Sequence, residues 1–199
     1  MQAIEPEQVI GSKITNTSLR RWLFSLPGVD KVGLEQRAAG LATRSIKTES
    51  KAWALDMAIK MMDLTTLEGA DTPRRVASLC QKAITPDPDD LTTPSPAAIC
   101  VYGDMVKHAK AAIGQHKIYV AAVATAFPSG RASMKVKLQD TKDAVAAGAD
   151  EIDMVIDRGA FLAGDFLEVF KQIVAVKAAC QRKDGSFAHL KVILETGEL

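Results

Sequence analysis

Two charged residues sit inside apolar runs of strand length, and any chemistry would begin with them. Asp153 lies in Glu151-Ile152-Asp153-Met154-Val155-Ile156, and Lys191 stands between Leu190 and Val192-Ile193-Leu194. A carboxylate carried into a buried strand must be hydrogen-bonded, paired or used to move protons. An ammonium carried into an apolar wall is desolvated, which by itself lowers its pKa. A buried lysine beside a buried aspartate suits carbonyl chemistry, in which the amine forms an imine and the carboxylate transfers protons. The same two residues could instead neutralise each other as an ion pair that sets strand register. The residue pattern leaves both readings open.

Other polar groups are weaker candidates. Asp63, with Thr65 and Thr66, can donate and accept hydrogen bonds at a strand mouth, or form a strand-end turn. Cys100 reads more readily as a small core hydrophobe than as a nucleophile, because no histidine lies near it in the pattern. Cys80, Cys100 and Cys180 form no C-x-x-C pair and are read as reduced, intracellular thiols. His108, His116 and His189 share no spacing with carboxylates or cysteines that would write a zinc motif, so no metal site is expected.

The elements that must position these groups alternate along the chain. Lys51 to Met62 places Trp53, Leu55, Ala58, Ile59 and Met62 at helical spacing, ahead of a short strand at Asp63. Asp71-Thr72-Pro73 predicts a helix start, with Val76, Leu79, Cys80 and Ala83 as its apolar face. Four prolines, Pro86, Pro88, Pro94 and Pro96, mark a loop before the strand Ala97 to Tyr102. A helix carrying Met105, Val106, Ala109 and Ile113 follows, then a strand within Lys117 to Phe127. Ser133 is placed to cap a helix running to Ala147 and closing at Gly148. After the Glu151 strand, a helix is predicted from Asp165 to Gln181 with Leu167, Phe170, Ile173, Val174 and Val176 toward a core. The last strand is Leu190 to Glu195. Strand starts at 63, 97, 118, 151 and 190 suit βα units and a parallel sheet.

Polar content inside the strands chooses between the parallel architectures. Strands of open doubly wound sheets are apolar on both faces, and no G-x-G-x-x-G loop follows the first strand here. By the period of two, Asp63, Thr65 and Leu67 share a face, as do Glu151, Asp153 and Val155, and Lys191, Ile193 and Glu195. Such groups can meet inside a TIM (β/α)8 barrel near its C-terminal mouth. The expectation is an α/β fold, a TIM (β/α)8 barrel of which the first five strands are present. A full barrel has eight strands and typically about 250 residues, so the chain is read as C-terminally truncated. Residues 1–50, with Pro6, Gly11, Pro27, Gly28, Gly33 and Gly40, are read as an N-terminal extension, partly helical or flexible, and 51–199 as the partial barrel.

Composition limits the partners. The chain has 199 residues, with 25 Lys+Arg against 24 Asp+Glu and a formal charge of +1, which argues against nucleic acid or an acidic membrane recognised through bulk charge. No apolar run approaches the roughly 18–20 residues needed to span a bilayer, and MQAIEPEQVI carries no secretory pattern. The expected location is cytoplasmic.

Five segments together carry a resemblance. Met62-Asp63-Leu64-Thr65-Thr66-Leu67, Ala97-Ala98-Ile99-Cys100-Val101-Tyr102, Ala126-Phe127-Pro128-Ser129-Gly130, Gly148 to Ile156, and Leu190-Lys191-Val192-Ile193-Leu194-Glu195-Thr196-Gly197-Glu198-Leu199 resemble, in order and spacing, the deoxyribose-phosphate aldolase family over about residues 50–199. The resemblance implies a class I aldolase, working without metal or cofactor, that cleaves 2-deoxy-D-ribose 5-phosphate to D-glyceraldehyde 3-phosphate and acetaldehyde. It implies that Asp153 is a proton donor and acceptor and that Lys191 is a charge partner in the active site. Asp63, Cys100, Thr65 and Leu67 match pocket positions. The family's imine-forming lysine lies in a K-T-S-T-G motif on a sixth strand, which matches nothing in this chain, so residues 1–199 alone are expected to be inactive. The partner implied is a small phosphosugar, with homodimer formation left open. The alternatives are a different lysine-dependent aldolase, or a half-barrel without catalysis that pairs with another chain.

Overall fold

The computed structural model describes residues 13–199. Pro6 and Gly11 lie outside the described residues. By packing, the chain divides into two units, 1–55 and 56–199.

In the first unit, α1 (Asn16–Ser25) starts from a reciprocal cap. Thr15 Oγ1 accepts from the Ser18 N–H at 3.1 Å while Ser18 Oγ accepts from the Thr15 N–H at 2.9 Å. Asp30 caps α2 (Lys31–Ala42) by accepting from the Gly33 N–H at 2.9 Å. The helix α3 (Thr48–Lys60) runs across the division in sequence.

The second unit is built on β1 (Asp63–Thr65), β2 (Ala98–Tyr102), β3 (Tyr119–Ala124), β4 (Glu151–Val155) and β5 (His189–Ile193). They form one parallel sheet in sequential order. Between them run α4 (Pro73–Ile84), a 3-10 turn at Gly103–Met105 leading into α5 (Val106–Ile113), α6 (Met134–Ala146), α7 (Arg158–Leu162) and α8 (Phe166–Ala179). Thr72 caps α4, accepting from the Arg75 N–H at 3.2 Å, with Pro73 in the first turn where its missing N–H costs nothing.

Alternation along the strands separates two apolar clusters. One face carries Ile99, Val101, Val120, Ala122 and Ile152, which bury against Val76, Cys80, Val106, Ala109 and Ile113 of the helices. Each fully buried Ile or Val there contributes roughly 1.5–3 kcal/mol. The opposite face carries Ala98, Cys100, Ala121 and Val123, with Leu67, Tyr102 and Phe127 packed on them. That second face also bears Asp153 and Lys191, because Asp153 pairs in register with both Val123 and Lys191.

The structure corrects several expectations. On α8 the buried stripe is Val169, Gln172, Val176 and Ala179, while Val174 is exposed. Apolar residues run almost continuously around this helix, so their spacing alone could not phase it. Ser133 stands at the N-cap of α6, but its side chain makes no capping hydrogen bond. Trp53 and Leu55 of α3 are exposed, and Met62 lies beyond its end. Glu195 does not share a face with Lys191 and Ile193: β5 ends at Ile193, and Glu195 adopts a left-handed backbone at φ 54°.

Candidate active site

Lys191 is the centre of the site. Its Nζ lies 2.5 Å from Asp63 Oδ2, 2.8 Å from Glu151 Oε2 and 3.2 Å from Asp153 Oδ1. These carboxylates come from β1 and β4, and the lysine from β5. In a flat sheet the first and fifth strands would stand about 19 Å apart, far beyond the joint reach of a lysine and an aspartate. The sheet must therefore curl so that its two edges face one another across an interior, which is the curvature of a barrel.

Local sequence explains the placement. Glu151 and Asp153 are two residues apart on β4 and so share a face, and Lys191 is the register neighbour of Asp153. Asp153 is the most enclosed of the carboxylates, 9% exposed against apolar neighbours. Its Oδ1 meets the ammonium as an ion pair without the angle of a hydrogen bond, and Cys100 Sγ lies 3.7 Å from its Oδ2.

The electrostatics follow from three carboxylates sharing one ammonium. Burial raises the pKa of Asp153; Lys191 opposes this, and the like charges of Asp63 and Glu151 reinforce it, leaving the carboxyl above its ordinary range. For Lys191 burial acts downward, as desolvation requires, but the bonds to Asp63, Glu151 and Asp153 outweigh it and hold the ammonium above the usual lysine range. The expectation that the wall would lower this pKa is thus overturned by the carboxylates that line it. Cys100 is pushed up to about 12, first by burial and then by the Asp153 charge. It stays a thiol at neutral pH and is a poor nucleophile.

The structure brings Asp63, Asp153, Lys191 and Cys100 together. Leu67 packs on the interior cluster beside them. Thr65 turns to the nearby backbone, its Oγ1 donating to the Asp63 carbonyl at 3.0 Å. Glu151 was missed as a site residue although its spacing from Asp153 announced a shared face. The cation at the centre of these carboxylates is the lysine itself, and among the described residues no group of three His, Cys, Asp or Glu side chains could hold a metal ion. A cavity of about 790 Å³ lies to one side, lined in part by Glu68, Asp71, Tyr102, Phe127 and Asp140, and includes neither Lys191 nor Asp153. Its size is no argument for chemistry, since the paired titratable groups lie elsewhere. No described helix is long and apolar enough to cross a membrane.

Comparison with known proteins gives a consistent answer. The profile of the DeoC/LacD family aldolases matches residues 57–199. Deoxyribose-phosphate aldolase of Mus musculus is 41% identical over 173 residues, covering 79% of this chain and 51% of that protein. Deoxyribose-phosphate aldolase of Agrobacterium fabrum is 41% identical over 147 residues, covering 73% of this chain and 52% of that protein. Among solved structures, that of a candidate deoxyribose-phosphate aldolase from Coccidioides immitis superposes with a TM-score of 0.63 at 28% identity, over 73% of this chain and 52% of the other. The chain thus spans about half the length of these relatives.

Proposed function

This chain belongs to the DeoC/LacD family of aldolases, and from that premise we propose that it supplies the proton-transfer side of a class I aldolase site. The reaction proposed is the reversible cleavage of 2-deoxy-D-ribose 5-phosphate to D-glyceraldehyde 3-phosphate and acetaldehyde. The observation that carries this reading is the pair of Asp153 and Lys191, enclosed on the inner face of the sheet with Asp63 and Glu151 on the same ammonium.

The chemistry assigns roles to these groups. A lysine amine condenses with C1 of the sugar, losing water, and the protonated imine becomes the electron sink. Removal of the C3 hydroxyl proton sends the C2–C3 bonding pair into an enamine and releases glyceraldehyde 3-phosphate. Protonation at C2 and hydrolysis then free acetaldehyde and the amine. Asp153, whose carboxyl pKa is raised above the ordinary range by burial, is suited to take and return these protons. Lys191 is held as an ammonium by three carboxylates, so its lone pair is not free to attack. It keeps Asp153 in place and tunes its charge, and the nucleophile is a different lysine, which the resemblance places on a sixth strand. We therefore propose that residues 1–199 by themselves do not turn over.

Borohydride trapping with acetaldehyde tests the assignment. A protein that joins these residues to a sixth-strand lysine should yield one reduced adduct, located by peptide mass spectrometry on a lysine other than Lys191, and the 199-residue chain should yield none on Lys191. An adduct on Lys191 would overturn the division of roles.

A further inference from the structure

Two strand exits are tied together beside the Asp153–Lys191 pair. Arg158 opens α7 just past β4, and its guanidinium meets the carboxylate of Glu195, just past β5. The Arg158 side chain is 23% exposed and that of Glu195 45%; the Arg158 Nη1 is buried and meets Glu195 as an ion pair without a hydrogen bond. Glu195 holds φ 54° and ψ 60°, a left-handed conformation that a residue with a Cβ keeps only when its surroundings impose it. Beneath the pair the strands are in register, Asp153 beside Lys191 and Val155 beside Ile193, and the Ile156 N–H donates to the Ile193 carbonyl at 3.4 Å.

The β4 exit is fixed independently of Glu195. Asp157 caps α7 by accepting from the Ala160 N–H at 3.0 Å. Gly130, from the β3 exit at φ 67°, packs so closely on the Ile156 carbonyl that a Cβ there would run into it. Arg158 therefore projects from an anchored segment, and Glu195 is the movable half of the contact.

We propose that Arg158 and Glu195 are positioning residues: their ion pair fixes the exit of β5 and so holds Lys191 Nζ among Asp63, Glu151 and Asp153. The proposal rests on the reading of Asp153 and Lys191 as the proton-transfer pair, but its test does not require turnover. The Asp153 carboxyl is titrated by carbon-13 NMR in the intact protein, its resonance assigned with Asp153→Asn, in the Arg158→Met, Glu195→Gln and charge-reversed Arg158→Glu/Glu195→Arg variants.

Lys191 lowers the Asp153 pKa, so loosening it must raise that pKa. Both single variants should shift the titration upward by about half a pH unit or more, and the charge-reversed pair should bring it back. Charge acting directly through space predicts shifts of opposite sign, up on losing Arg158 and down on losing Glu195. Opposite shifts, no shift in a folded variant, or no return in the reversed pair would each overturn the proposal. Glu195→Gln is the milder change and carries the test if Arg158→Met does not fold. Failure of the aldolase reading would show separately, as undiminished turnover in Asp153→Asn.

Discussion

Asp63 and Lys191 are 128 residues apart in the chain and 2.5 Å apart in space, joined across the interior of a curled sheet whose opposite edges they occupy. This contact closes the lysine into a ring of three carboxylates and makes β1 and β5 parts of one site.

Lys191→Met should therefore cost stability as well as chemistry. Removing one partner of a fully buried ion pair costs roughly 3–5 kcal/mol, and with a third of this side chain exposed the loss should be about 2 kcal/mol. Thermal unfolding would show it as a fall in Tm of about 4–8 °C at neutral pH. The Lys191 pKa is raised in the folded state, so its contribution is complete below about pH 10 and is lost as pH climbs through the folded value. The gap between wild type and variant should narrow in strong alkali. An equal gap at all pH values would count against the ring.

The raised pKa of Asp153 gives the opposite sign from an ordinary salt-bridged aspartate. Between its unfolded value near 3.9 and its folded one, the native state holds the extra proton, so this group's contribution to stability falls as pH rises. The Tm of Asp153→Asn relative to wild type should thus improve from pH 4 to pH 7. A relative Tm that worsens over that range would mean a depressed pKa and a carboxylate satisfied by its partners.

Cys80, Cys100 and Cys180 are all buried with raised pKa values, Cys100 to about 12. In the native protein they should be nearly unreactive toward a thiol-specific disulfide reagent at pH 8, all three appearing in denaturant. Rapid native modification of Cys100 would reopen its case as a nucleophile.

Lys137 is 1% exposed, and its Nζ donates to Gln172 Oε1 at 2.8 Å between α6 and α8. Lys137→Met keeps the volume but leaves the Gln172 carbonyl oxygen without its donor, a loss of about 1–2 kcal/mol. Adding Gln172→Leu removes the orphaned oxygen, at the cost of the bond its amide gives Glu168 Oε1 at 2.9 Å, and should recover part of that stability, as replacement of buried polar pairs by apolar groups often does. Denaturant midpoints of the two variants would decide, and a double variant no more stable than the single one would contradict the prediction.

The sequence made the fold readable where apolar runs had strand length and clear punctuation. The strand starts, the Thr72 cap with Pro73, and the alternation that put Asp153 and Lys191 on one face all follow from local rules. The near-continuous apolar run of α8 concealed its buried stripe, and the helical spacing of Trp53 and Leu55 located α3 without telling that both are exposed. The pKa of Lys191 was illegible for a different reason. Desolvation can be read from neighbours in sequence, whereas the carboxylate of Asp63 arrives from the far edge of the sheet. Arg158 gave no signal and Glu195 was assigned to the wrong face, since both lie past strand ends where the period of two no longer holds.

The most direct test of the central claim is the turnover of 2-deoxy-D-ribose 5-phosphate by a protein that carries these residues together with a sixth-strand lysine, wild type against Asp153→Asn. If Asp153 moves the protons, kcat should fall by about 10²–10⁴-fold with KM little changed and the trapped imine still forming. A variant that turns over at the wild-type rate would contradict the account and reduce the ring around Lys191 to a structural ion pair.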